Sequence, residues 1–135
     1  MIRKNQRPKA LEDKVHKLVV DYLKLRYPQV IFRTDGAGLR LPIGLAMKFK
    51  NLQCCRAYPD LFIAEPKGKF AGLYIEIKKD RDEYLRQDGT IRQDKHIQEQ
   101  LDVMTKLQAK GYLCNFGGGF RECREIIDEY LAINK

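Results

Sequence analysis

The segment Tyr74-Ile75-Glu76-Ile77-Lys78 constrains this chain more than any other. Its β-branched and aromatic residues favour a strand, and side chains on a strand alternate between two faces. Ile75 and Ile77 take one face, while Glu76 and Lys78 take the other. A carboxylate and an ammonium therefore sit side by side on a strand that its neighbours make apolar. Just upstream, Asp60-Leu61-Phe62-Ile63-Ala64-Glu65 reads as a second strand, and Pro66-Lys67-Gly68-Lys69 as the turn between them. A hairpin is the economical pairing, and it brings Asp60, at the start of one strand, toward Glu76 on the other.

The rest of the chain arranges helices around that hairpin. A helix is expected from about Lys9 to Arg26, with Leu11, Val15, Leu18, Tyr22 and Leu25 forming one face. Tyr27-Pro28 ends it, and Val30–Arg33 reads as a short strand. Residues 34–53 read as a basic loop with room for one turn of helix, because Gly36, Gly38, Pro42 and Gly44 interrupt regular structure. Residues 79–95 are densely charged and read as an exposed excursion. A second long helix is expected from about Asp94 to Lys110, with Ile97, Leu101 and Met104 inward. A strand over Tyr112–Phe116, a flexible turn at Gly117-Gly118-Gly119, and a last helix with Cys123, Ile126, Ile127, Tyr130 and Leu131 inward follow. The order α-β-loop-β-β-α-β-α describes an α/β domain around a small mixed sheet. At 135 residues, 1–135 reads as a single domain with a basic N-terminal arm at 1–9.

Hydrophobic residues are 44% and charged residues 33%, which excludes a disordered tail. No apolar run approaches the ~18 residues of a membrane span, and no secretory signal is expected, so the expected location is cytoplasmic. Residues 1–50 hold 12 Lys and Arg against 4 Asp and Glu, whereas residues 51–135 hold 14 of each. The whole excess of +8 thus lies in the N-terminal third. A localised positive field suits a polyanion such as DNA. Arg3, Lys4, Arg7, Arg33, Arg40, Lys48 and Lys50 are the candidate backbone contacts, although residues 34–53 could equally be an ordinary surface loop. Cys54, Cys55, Cys114 and Cys123 form no C-x-x-C pair, and His16 and His96 stand alone, so free thiols are expected rather than a zinc site.

Two carboxylates at one place repel unless a proton or a cation lies between them. Asp60, Glu76 and the Ile77 carbonyl suit a hard divalent cation, with Lys78 placed to orient a water or stabilise a phosphate in transfer. Gln100 lies three residues after Ile97 and four before Met104, so it faces inward. Glu12 borders the inner face of the first helix by its spacing to Val15 and Val19. Each feature alone has an ordinary explanation. An E-x-K on a strand is commonly a cross-strand ion pair, and a Gln at a helix edge is commonly just a boundary residue. Their combination, Glu12, Asp60, Glu76-x-Lys78 and Gln100 on successive α, β, β and α elements, is far more specific.

This constellation resembles the PD-(D/E)xK nuclease superfamily, with its restriction-endonuclease-like core. Within it, the chain resembles a stand-alone VRR-NUC domain of phage or bacterial type, from about Leu11 to Leu131. The residues that carry the likeness are Glu12, Tyr58-Pro59-Asp60, Tyr74–Lys78 and Glu99-Gln100 followed by Gly111-Tyr112. Tyr58 stands where relatives often have Gly. The resemblance implies Mg²⁺ or Mn²⁺ on Asp60 and Glu76, catalysis by Lys78, and a site completed by Glu12 (a further possible ligand) and Gln100. It also implies a homodimer acting on four-way junctions or other branched DNA, without a small-molecule cofactor. A restriction-type or flap endonuclease uses the same core, and a non-catalytic DNA-binding protein could retain it. No base-reading module is visible in the sequence, which favours recognition of DNA structure over DNA sequence.

Overall fold

Helix α1 (Arg7–Arg26) runs twenty residues without a glycine. Pro8 falls in its first turn, where a missing N–H costs nothing, and Lys24 and Arg26 lie in its last turn, against the negative end of the dipole. The computed structural model describes residues 7–34 and 42–134. Arg7–Lys9 therefore belong to the helix rather than to an arm, and residues 1–6 lie outside the described residues.

The buried stripe of α1 is Val15, Val19 and Leu23, at four-residue spacing. The face expected from Leu11, Leu18 and Leu25 points outward instead, with exposures of 50%, 50% and 86%. Apolar residues occupy two faces of this helix, and packing selects the straighter stripe. Val15, Val19 and Leu23 pack with Leu61, Ile63, Leu73, Ile75 and Ile77 of the sheet, and with Cys123, Ile127 and Tyr130. Those last three belong to α4 (Phe120–Leu131). Tyr22 and Tyr27 both donate their hydroxyls to Asp128 Oδ1, at 2.6 and 2.7 Å, which ties α1 to α4.

The sheet has four strands, β1 (Phe32–Thr34), β2 (Leu61–Ile63), β3 (Leu73–Lys78) and β4 (Leu113–Gly118), in that spatial order. β1, β2 and β3 pair antiparallel, and the expected hairpin is present, with Leu61 opposite Ile75. β4 runs parallel to β3, with Glu76 opposite Phe116. A parallel pair needs a crossover, and α3 (Lys95–Ala109) supplies it. α3 covers the other face of the sheet through a second cluster of Tyr74, Tyr84, Ile97, Met104, Cys114 and Phe116. The result is a small mixed sheet flanked by helices.

Three expectations need correction. Within the basic 34–53 segment, Ile43–Asn51 form a helix, α2, of nine residues rather than a loop with one turn. Nothing lies within 4 Å of a Cβ built at Gly44, so the glycine that reads as a breaker meets no obstacle in the helix. Residues 79–95 are not a free excursion. Tyr84 is buried, stacks on Phe116 at 4.9 Å, and donates its hydroxyl to Glu122. Leu85 and Ile91 form a bridge around the Gly89 turn. Finally, Gly117 and Gly118 are strand residues, and only Gly119, with φ 90°, adopts a turn conformation.

Gly118 is glycine because backbone crosses it. A Cβ there would lie 2.6 Å from Arg81 N and 2.7 Å from Arg81 Cα. Backbone cannot swing aside as a side-chain tip can. Gly118→Ala is therefore expected to destabilise the fold by about 1–3 kcal/mol, the usual cost of overpacking. An unchanged melting temperature would contradict that close approach. No helix among the described residues is long and apolar enough to cross a membrane.

Candidate active site

β2 and β3 part company at one end of the hairpin, and the site lies there. The ladder stops at Leu61 opposite Ile75, and two positions further on the register would set Pro59 against Ile77. Proline has no N–H to donate to the Ile77 carbonyl, which ends the ladder, and the buried Ile77 N–H still needs an acceptor. Asp60 supplies it: the Ile77 N–H donates to Asp60 Oδ2 at 2.9 Å. This bond fixes one carboxylate beside the strand that carries the other.

Glu76 and Lys78 project from the face of β3 that α3 covers. Gln100 reaches them from α3, donating Nε2 to Glu76 Oε1 at 2.7 Å. Lys78 Nζ lies 3.7 Å from the same oxygen. Asp60, Glu76, Lys78 and Gln100 are 7%, 6%, 4% and 5% exposed. These are residue types that are almost never buried without a reason. All four line one polar cavity of about 220 Å³, together with Glu12, Asp13, His16, Arg56 and His96.

Glu12 enters from α1, half-buried. Burial, then the nearby Glu83 carboxylate, push its pKa up to about 7 from an ordinary 4.5. The folded protein therefore holds this proton more tightly than the unfolded chain does. Its contribution to stability is complete at pH 4 and is lost as the pH rises through 7. Glu12→Gln is expected to melt higher than wild type at pH 8 and alike at pH 4. The gain is about 1 kcal/mol once solvent screening of a half-exposed group is allowed for. An equal shift at both pH values would contradict the assignment.

Two site residues escape sequence reading. His16 Nε2 lies 3.7 Å from Asp60 Oδ2, and burial lowers its pKa. His96 Nε2 lies 3.2 Å from Gln100 Nε2. The signal is present in the spacing. His16 is four residues after Glu12 and His96 four before Gln100, so each shares a helix face with a candidate. Of the proposed DNA contacts, Arg33, Lys48 and Lys50 are exposed. Arg7 opens α1. Arg3, Lys4 and Arg40 lie outside the described residues. Cys114 and Cys123 are buried free thiols, Cys55 is half-buried and Cys54 is exposed.

Among the described residues, no three His, Cys, Asp or Glu side chains form a ready-made metal cluster. The donor set nonetheless fits a hard cation. Asp60 and Glu76 offer carboxylate oxygens in a polar cavity, and Gln100 Oε1 is buried with no hydrogen-bond partner among the described residues. Mg²⁺ keeps several waters and is commonly held by only one or two carboxylates.

The fold defines the class, a restriction-endonuclease-like α/β domain with a small mixed sheet flanked by helices. A solved structure, "VRR_NUC domain protein", is similar over 92% of this chain and 90% of that one, with a TM-score of 0.61 and 25% identity. No protein-family model matches the sequence, and neither does any curated protein. The likeness to the VRR-NUC domain expected from Glu12, Asp60, Glu76, Lys78 and Gln100 thus holds at the level of three-dimensional structure.

Proposed function

We propose that this protein is a divalent-metal-dependent, structure-selective DNA endonuclease that hydrolyses phosphodiesters in four-way junctions or other branched DNA, as a homodimer. The observation that carries the reading is the convergence of the buried Asp60, Glu76, Lys78 and Gln100 on one polar cavity. Asp60, Glu76 and the Ile77 carbonyl would hold Mg²⁺ or Mn²⁺, with Glu12 a further ligand. The bound ion supplies Lewis-acid stabilisation of phosphate charge and lowers the pKa of a coordinated water. Lys78 holds a positive charge where negative charge grows on the transferring phosphoryl group. Gln100 keeps the Glu76 carboxylate oriented through the 2.7 Å bond.

Branched DNA is favoured by the basic N-terminal third, which suits backbone contact without base reading. A two-fold dimer matches the near two-fold symmetry of a four-way junction. The exposed Leu11, Leu18 and Leu25 leave an apolar stripe on α1 for a second copy. The test is cleavage of labelled four-way junction, 5′ flap, splayed arm, plain duplex and single strand with Mg²⁺, Mn²⁺ or EDTA. Paired symmetric cuts in the junction, with metal only, are expected. Cutting at one short motif in plain duplex would point to a restriction-type enzyme instead.

A further inference from the structure

One face of the sheet is covered unevenly. Arg33, Phe62, Tyr74 and Cys114 are successive cross-strand neighbours and stand in a row across that face. α3 covers the Cys114 end. The other end has α2 beside it, and α2 buries none of its residues. Between α2 and the sheet lies a cleft of about 630 Å³, lined by Arg33, Phe49, Tyr58, Phe62 and Tyr74 among others. Its walls are flat and aromatic. Phe62 stacks on Tyr74 at 4.5 Å, and Tyr58 meets Tyr74 edge-on at 5.4 Å with the two hydroxyls hydrogen-bonded at 2.6 Å. Phe49, 45% exposed, also lines the cleft.

Tyr58 and Asp60 line both this cleft and the catalytic cavity, so the two spaces adjoin. A ligand with a phosphate at Asp60 can therefore extend into an aromatic recess through its own covalent chain. Arg33 offers the cleft a cation for a neighbouring phosphate. We propose that the cleft receives one unstacked nucleobase of the strand being cut, next to the scissile phosphate. This rests on the nuclease reading and deepens it. A base leaves its stack most easily where it is already unpaired, as at a branch point. Stacking on aromatic rings accepts every base, because each has a π-face. The cleft thus selects DNA structure rather than DNA sequence, and its volume lies in the usual range for a ligand pocket.

The test measures affinity in EDTA for four-way-junction and splayed DNAs, each carrying one abasic site stepped across the cut position. Phe49→Ala is expected to bind intact DNA about tenfold more weakly, the scale of one lost base-aromatic stack. Phe49→Tyr, which keeps a flat ring, should retain wild-type affinity. At one abasic position beside the cut, wild type and Phe49→Ala should bind alike, because the interaction they differ by is already gone. The same tenfold gap at every abasic position, or no gap on intact DNA, would overturn the proposal. Metal-dependent cleavage by wild type is read separately on the same DNAs. Cleavage without the position-specific effect removes the base site alone. The effect without cleavage keeps the base site and removes the nuclease reading.

Discussion

Lys78→Met is expected to lower DNA cleavage by about a thousandfold, the scale for losing one preorganised charge at a reacting centre. Methionine keeps most of the volume and removes the ammonium. The same change leaves Glu76 buried without the cation that stands 3.7 Å away. Breaking a buried pair from one side commonly costs about 3–5 kcal/mol. Here the cost should be smaller, because Gln100 still donates to Glu76 at 2.7 Å and the cavity is polar. Pairing Lys78→Met with Glu76→Gln removes the stranded charge. The double variant should recover the melting temperature and remain inactive. Recovery of stability traces the structural cost of Lys78→Met to the Glu76 carboxylate, while the chemical role of Lys78 is read from cleavage by the folded single variant. Wild-type cleavage by folded Lys78→Met would remove Lys78 from the mechanism.

Asp60→Asn is expected to abolish metal binding while leaving the fold in place. The asparagine carbonyl can accept the Ile77 N–H as Asp60 Oδ2 does at 2.9 Å, so the junction between β2 and β3 keeps its hydrogen bond. What disappears is one negative charge beside Glu76. Ligand bound only to the folded state stabilises it by about 2.7 kcal/mol at a hundredfold excess over Kd. Wild type should therefore melt higher in Mn²⁺ or Mg²⁺ than in EDTA, and Asp60→Asn should show no such rise. An equal metal-induced rise in both proteins would place the ion elsewhere.

The site was more legible in the sequence than the packing that surrounds it. Strand alternation alone put Glu76 and Lys78 on one face, and helical spacing alone put Gln100 inward. Those rules depend on local geometry, and local geometry is what sequence patterns encode. The buried face of α1 depends on something else. Leu18, Val19, Tyr22, Leu23 and Leu25 supply apolar residues on more than one side, and only contact with Ile127 and the sheet decides for Val19 and Leu23. Gly117 and Gly118 mislead for a related reason. Glycine pairs suggest a turn, but at Gly118 the constraint is the close passage of the Arg81 backbone, a contact remote in sequence. Tyr84 sits in a charged run that reads as solvated, yet it finds Phe116 and Glu122. His16 and His96 were within reach, since each lies one helical turn from a candidate site residue.

Asp60, Glu76 and Lys78 are proposed to form a metal-dependent centre that cuts DNA. The most direct measurement is single-turnover cleavage of an end-labelled four-way junction by wild type and Asp60→Asn, in Mn²⁺ and in EDTA. Cleavage by wild type in Mn²⁺ alone is expected, and none by Asp60→Asn in either buffer. Cleavage that persists in EDTA, or that Asp60→Asn matches, would contradict it.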